Sequence, residues 1–442
     1  MFRKVVIIVF LAGLLAGFLI LRPYLFKKEA PPNLEDRLPE GDVIGKAYLL
    51  DVARETKGML YHHKIPFRDL FAPEFILSQS KNYGLNIQKP IYFFANENGE
   101  WGSLVSVSDS SKILQGIIRL KKVIAIKDTM VNDLKMYYSK KENSYLYYDK
   151  SYLLLYHGAD VKIIFKRVTA AKNGDVSPVW KAFLKEKQFK DDRLVIYTNW
   201  PKMRENGVDV AMFAHDSDSS SFFLKTYIRG RDSLHLSIKA PGKGFVPDMQ
   251  GSKVVNIHLD VSEFKKYPND PIYKLFAKAG KRISFPTIDF LNAWTGDLSF
   301  REGGTQTVKE TYIESELDDN FNVTEVTKTK EVLVPGYSML FSSNQKGNYF
   351  ISRLMGKGIL TYENPKYRFL YSPPLAMNKM NDYYVFQSGE KIPKIVKSNA
   401  NNGVWNHKGT RYEFNLDSIA GKEAFGSLKI PVQKIISGSP LF

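Results

Sequence analysis

The sequence predicts an α+β protein: two divergent copies of an antiparallel-sheet-plus-helices unit behind one N-terminal transmembrane helix. Three observations predict it. Leu49-Leu50-Asp51-Val52 and His258-Leu259-Asp260-Val261 open two stretches in which the same order of elements recurs. Strand-like and helix-like runs do not alternate steadily, which disfavours a doubly wound parallel sheet. Residues 5–21 form an uncharged apolar run ahead of both stretches. The implied organisation is a signal-anchor over 1–28, a Pro-rich tether over 29–40, copy one with a β-meander over 41–250, copy two over 251–432 and a tail over 433–442.

The anchor reads VVIIVFLAGLLAGFLIL from Val5 to Leu21. At about 1.5 Å per residue it spans about 26 Å, the short end for a membrane helix. Pro23-Tyr24-Leu25-Phe26 extends it into an interfacial belt before Lys27-Lys28. No A-x-A site follows the core, and Arg22-Pro23 stands where cleavage would fall, so an uncleaved anchor is preferred to a cleaved signal peptide. The very short N-terminal tail and the lack of cysteine favour a single-pass protein of a bacterial inner membrane with its bulk in the periplasm. Ala30-Pro31-Pro32 through Pro39 then reads as an extended tether.

In copy one, Val43–Leu50 is a strand followed by a helix from Val52 to Tyr61, and Pro66-Phe67-Arg68-Asp69-Leu70-Phe71-Ala72 starts another helix with Pro in its first turn. Pro90–Phe94 and Gly102–Val107 flank Glu97-Asn98-Gly99-Glu100, a hairpin signal. Ser108-Asp109-Ser110-Ser111 caps an amphipathic helix with Ile113, Leu114, Ile117 and Ile118 on one face. Tyr145–Tyr148 and Tyr152–Tyr156 form an aromatic hairpin, and runs beginning at Leu194, Val208, Ser221 and Leu234 form a four-stranded meander. Copy two repeats the order with Val254–Leu259, the Pro271–Ala277 helix, a long hairpin from Gly296–Phe300 returning at Gly336–Phe341, a helix behind Ser342-Ser343-Asn344, and Asp382–Phe386.

With 44% hydrophobic and 25% charged residues the chain has the balance of a folded protein. The absence of cysteine excludes disulfide scaffolds, cysteine nucleophiles, thiolate zinc sites and lipidation on cysteine. A net charge of +17 invites a nucleic-acid reading, but the excess is spread, with a richer stretch from Lys162 to Lys190, and no nucleic-acid motif accompanies it. A basic surface near anionic lipid or wall polymer explains it equally, and nucleic acid is not expected as a partner.

The chemical candidates each have a plainer reading. Asp216, Asp218 and Ser220 sit at the first, third and fifth positions of a calcium loop, but Ser221 and Tyr227 stand where Gly and Glu belong, so a polar turn is expected. His62-His63 point about 100° apart on a helix and have no third ligand at suitable spacing. Pro241-Gly242-Lys243-Gly244 and Gly356-Lys357-Gly358 lack phosphate-loop spacing and read as turns, with Gly356 ending a helix. Asp191-Asp192 is a carboxylate pair of unknown separation, and Asp51 and Asp260 read as helix N-caps. No catalytic, cofactor-binding or metal-binding residue is assigned, and no cofactor is expected.

The strand-Asp junctions, the P-I/F-x-x-L-F-A helices, Leu38-Pro39-Glu40-Gly41 and Trp294-Thr295-Gly296-Asp297 resemble a group of uncharacterised bacterial envelope proteins classed as domains of unknown function. The resemblance covers about 40–430 and implies an envelope location and no known activity; this chain departs from it in having no lipobox cysteine. The function expected is that of a membrane-anchored, extracytoplasmic binding or scaffolding protein without enzyme activity, partnered by the membrane and by an envelope protein, lipid or glycan. The alternative is a lipid or glycan carrier or enzyme with a cleft between the copies.

Overall fold

Each strand-like run along this chain needs a neighbour to satisfy its backbone groups. In the computed structural model those neighbours are other strands of one sheet. The structure describes residues 32–62, 80–122, 125–217, 222–240, 242–248, 251–317, 323–363, 365–370, 372–389, 394–407 and 410–430. The apolar run 5–21, the Pro66–Ala72 segment and the tail 433–442 lie outside them.

The first half runs β1 (Val43–Ala47), α1 (Leu49–His62), β2 (Ile91–Ala95), β3 (Trp101–Ser106), α2 (Ser110–Leu120), β4 (Ile126–Val131), β5 (Leu134–Ser139), β6 (Ser144–Tyr148) and β7 (Tyr152–His157). It continues through α3 (Val161–Thr169), α4 (Pro178–Lys185), β8 (Leu194–Thr198), α5 (Pro201–Glu205), β9 (Val208–Ser217) and β10 (Phe222–Gly230). The second half runs β11 (Ser237–Ile238), β12 (Gly244–Pro247), β13 (Lys253–Asp260), α6 (Pro271–Arg282), α7 (Thr287–Ala293), β14 (Trp294–Leu317), β15 (Val323–Ser343) and α8 (Gly347–Gly356). The last strands are β16 (Leu360–Glu363), β17 (Lys366–Phe369), β18 (Ala376–Met380), β19 (Tyr383–Gln387), β20 (Ile395–Ser398), β21 (Asn402–His407), β22 (Thr410–Ala420) and β23 (Glu423–Ile430).

Nineteen of these strands belong to one antiparallel sheet. Outward from its middle, the first half pairs in the order β10, β9, β8, β1, β2, β3, β7, β6, β5, β4. The second half pairs β23, β22, β21, β13, β14, β15, β19, β18. The same connectivity therefore stands on both sides of a seam, where β10 pairs with β23 from Phe222↔Ile430 to Arg229↔Glu423.

This corrects the expected fold class. Among the described residues strand accounts for 48% and helix for 22%, and one sheet carries both halves, so the described chain is predominantly antiparallel β and not a balanced α+β protein. The short β-like runs seen in the sequence are fragments of longer strands: the hairpin beginning near Gly296 spans 24 residues in β14 and 21 in β15. No described helix is long and apolar enough to cross a membrane. The expected four-stranded meander has three strands, β8 to β10; the fourth run supplies β11, which pairs with β13 and so belongs to the second half.

Each half of the sheet carries packed elements on both faces, of different material, while the far part of the β14–β15 hairpin stays exposed. In the first half Ile44, Tyr92, Phe94, Leu154, Val195 and Tyr197 meet Phe165, Val168, Trp180 and Phe183 of α3 and α4 in one apolar core. Residues read as an extended tether join it: Leu38 is fully buried, Trp180 Nε1 donates to Pro39 O at 2.7 Å and Tyr92 OH donates to Glu35 Oε1 at 2.5 Å. On the opposite face α2 lies over Tyr137, Leu146 and Leu153 through Ile113 and Ile117. In the second half α7 and α8 cover one face through Phe290, Phe350 and Leu354, against Leu259, Phe341 and Phe386. The other face is covered by the two-stranded ribbon β12–β20.

Trp180 is the largest fully buried side chain of the first core. Replacing it with Ala should cost about 3–5 kcal/mol in urea unfolding, whereas Ile163→Ala on the solvent side of α3, 67% exposed, should stay within about 0.5 kcal/mol. Equal effects would contradict this packing.

Candidate functional site

The helix α2 begins at Asp109, whose carboxylate accepts from the Ser111 N–H at 3.0 Å, so the capping turn seen in the sequence fixes where the helix starts. Its apolar residues do not share one environment: Ile113 and Ile117 are buried, while Leu114 and Ile118 remain 42% and 51% exposed. Between α2 and the sheet lies a cavity of about 290 Å³. Ile117 and Leu120 line it from the helix, and Trp101, Tyr137, Leu146 and Leu155 from strands β3, β5, β6 and β7. Trp101 stacks on His157 with ring centroids 5.7 Å apart, and Tyr138 stacks on Tyr145 at 4.6 Å.

Polar groups gather at one part of this lining. Ser139 Oγ is buried and makes no hydrogen bond among the described residues. Ser144 Oγ donates to Glu142 O at 2.8 Å and stands 3.4 Å from His157 Nδ1. The cavity is thus apolar along the sheet, with hydroxyls at Ser139 and Ser144 able to meet a polar group.

The ribbon-covered face of the second half is chemically different. Asp297 is fully buried; its Oδ1 meets His258 Nδ1 at 2.9 Å, and its Oδ2 accepts from Lys239 Nζ at 2.9 Å and from Tyr383 OH at 3.4 Å. The Asp297 N–H donates to Ser342 Oγ at 2.8 Å, and Asp297 O accepts from Trp294 Nε1 at 2.7 Å. Burial, then the Asp297 carboxylate, push the Tyr383 phenol upward. His258 Nε2 is buried without a hydrogen-bond partner among the described residues. A Cβ at Gly244 of the covering ribbon would come within 2.5 Å of His258 Cγ, so the imidazole is held closed beneath the ribbon. At Gly296 (φ +109°) a Cβ would come within 1.8 Å of Leu259 O, which explains the glycine before Asp297. This network neutralises a buried carboxylate; it does not open onto a substrate.

The sequence candidates fall as follows. Asp216 lies within β9, paired with Phe223 and 3.6 Å from Lys225, while Asp218–Ser221 lie outside the described residues. His62 ends α1 and His63 lies outside the described residues. Gly242 sits in a turn at φ +79°, its N–H donating to Asn399 Oδ1 at 2.5 Å. Gly356 ends α8, but Gly358 is the left-handed residue, with Gly358 N donating to Met355 O and Ile359 N to Leu354 O. Asp192 accepts from Lys225 Nζ at 2.8 Å. Asp51 lies inside the first turn of α1 rather than at its cap, and Asp260 accepts from Ser262 N at 3.0 Å in a turn; the cap in the second half is Asp270, which accepts from Ile272 N at 2.8 Å. Among the described residues no group of three or more acidic or histidine side chains is placed to hold a metal ion.

No family model and no curated protein matches this chain. Among solved structures, crystal form IV of TP0453 is similar at 9% identity and a TM-score of 0.31, over 45% of this chain and 81% of that one. Crystal form I of TP0453 is similar at 10% identity and 0.29, over 46% and 81%. This likeness is too distant to bear on fold or function.

Two outcomes follow. Asp297→Asn leaves Lys239 and His258 facing a neutral group in a closed site and should cost about 3–5 kcal/mol in urea unfolding; a loss under about 1 kcal/mol would contradict the closed network. His215 has a fully buried side chain against Phe222, with Glu55 Oε2 3.5 Å from Nδ1 but no hydrogen bond at either ring nitrogen. Burial holds its imidazole below the ordinary value, so the unfolded chain takes up the proton first as pH falls. The stability His215 contributes is present above about pH 6.5 and is lost as pH falls through the folded value. His215→Phe should flatten the fall in urea-unfolding stability just below about pH 6.5; an unchanged slope would contradict the assignment.

Proposed function

We propose that this chain is a non-enzymatic binding protein of the bacterial envelope, tethered by residues 5–21, that holds an amphiphile in the cavity beneath α2. The observation that carries this reading is the lining: Trp101, Ile117, Leu120, Tyr137, Leu146 and Leu155 present apolar surface, and buried Ser139 Oγ has no partner of its own. An acyl or other apolar chain lies against the sheet, and its polar group meets Ser139 and Ser144. A volume of about 290 Å³ is at the lower end for small-ligand sites; it suits a single chain better than a bulky ring system. The apolar run and the lack of cysteine support the envelope location, with the bulk of the chain in the periplasm. An amphiphile there would come from the adjacent membrane.

The test uses full-length protein in phosphatidylcholine nanodiscs, titrated with dodecanoate and followed by tryptophan fluorescence against empty discs. Saturable binding is expected. Leu155→Trp, which fills the cavity, should weaken it at least about tenfold, and Ser139→Ala about fivefold. Absence of saturable binding, or binding indifferent to Leu155→Trp in a variant that melts like the parent, overturns the reading.

A further inference from the structure

A second concavity lies at one end of the seam, between the two halves. Its volume is about 280 Å³, and its lining includes Arg204, Arg231, Lys274 and Lys278 with Glu205 and Asp232. Arg204 comes from the end of α5, Arg231 from the exit of β10, and Lys274 and Lys278 from α6 of the other half. Lys274 and Lys278 are four apart on a helix and so share a face.

The backbone beneath these side chains is fixed. The Gly230 N–H donates to Lys422 O at 2.7 Å, the Arg231 N–H to Gly207 O at 2.9 Å, and Lys422 Nζ to Arg231 O at 2.7 Å, which adds a further ammonium beside the cleft. Arg204 Nε donates to Asn199 O at 2.9 Å, and Arg231 Nη2 stands 3.5 Å from Arg204 O.

What matters in this group is that four cations share one concavity with only two carboxylates. Among the described residues none of Arg204, Arg231, Lys274 and Lys278 stands within 4.0 Å of a carboxylate oxygen, although Glu205 and Asp232 share the cavity. On the same strands Lys225 meets Asp192 at 2.8 Å and Arg229 meets Glu186 at 2.7 Å. The chain pairs its seam cations along the strands and leaves them unpaired where the halves converge. Like charges held together in a concavity are costly until an anion enters.

We propose that this cleft binds the phosphate or diphosphate group of an anionic ligand, with the cations of both halves closing on one anion. Guanidinium groups from Arg204 and Arg231 match the geometry of phosphate oxygens, and the lysines add charge from the opposite wall. The cleft has room for one such group and its ester, so the ligand is a phosphoryl headgroup or a soluble phosphate ester rather than a folded polyanion. This inference is separate from the apolar cavity and stands or falls alone.

The probe is inorganic pyrophosphate, titrated calorimetrically into full-length protein in phosphatidylcholine nanodiscs at low salt. One site per chain is expected. Lys274→Gln/Lys278→Gln should weaken it at least about tenfold without moving the melting temperature, because both side chains are exposed. Lys162→Gln/Lys166→Gln, which removes equal charge from the solvent face of α3, should leave it unchanged. Competition by phosphatidylglycerol in the discs would identify a lipid source, and competition by free glycerol 3-phosphate alone a soluble one. Absence of saturable binding, or equal weakening by both double variants, overturns the proposal.

Discussion

Eight residue pairs between β10 and β23 hold this protein in one piece. Without them the sheet would end in two long edges, each offering unpaired backbone groups along its length. With them, every strand from β4 at one side to β18 at the other lies in one antiparallel array. Side chains tie the seam to both halves: the Tyr227 phenol donates to Glu423 Oε1 at 2.7 Å, and Tyr227 packs on Phe425 with ring centroids 5.1 Å apart. Burial and Glu423 together push the Tyr227 phenol up to about 12, so it remains a hydrogen-bond donor across the ordinary pH range. Because the seam also sets how the halves approach one another, the cationic cleft at its end depends on it.

With connectivity so alike on the two sides, functional differences come from the material laid over the sheet. The connection from β7 to β8 carries α3 and α4, whose Phe165, Trp180 and Phe183 complete an apolar layer. Among the described residues the corresponding connection from β19 to β21 carries β20, which forms a ribbon with β12. A ribbon brings backbone and few large side chains, and the layer beneath it is polar: Asn256, His258, Asp297, Ser299 and Ser342 hydrogen-bond to one another or to their neighbours, with His258 Nε2 the ring nitrogen left over. Burying such a layer is tolerable because its carboxylate is met by an ammonium, an imidazole and a phenol. The first half leaves its open space elsewhere, under α2, and there the lining is apolar.

The hairpins and caps were legible in the sequence because they are written locally. Asn98-Gly99 turns β2 into β3, with Gly99 at φ +79°, and Asp109 starts α2 as its spacing implies. The Pro271 helix begins where expected, with Pro in its first turn and Asp270 as its cap. What was not legible depends on pairings between distant residues. Nothing near Phe222 announces Ile430 as its partner, so the two stretches read as separate α+β units when they are parts of one sheet. Asp297 stands in the sequence as part of a strand and of the Trp294–Asp297 motif and not as a buried charge, since its partners Lys239, His258 and Tyr383 are 58, 39 and 86 residues away. Trp101 went unmarked for the same reason: alone it is an exposed residue at a strand start, and only α2 and the strands β5 to β7 make it a cavity wall. The cleft cations were read as part of a diffuse positive charge because α5 and α6 are separated by more than sixty residues of chain.

The proposal that an amphiphile occupies the space beneath α2 is most directly tested by what the protein carries when isolated from the cells that make it. Native mass spectrometry of the full-length protein, extracted from those cells into a nanodisc-forming polymer without detergent, reads that cargo directly. The account predicts one amphiphile per chain that survives release from the polymer and is absent from Leu155→Trp. A chain of bare mass, or the same adduct on both proteins, would contradict it.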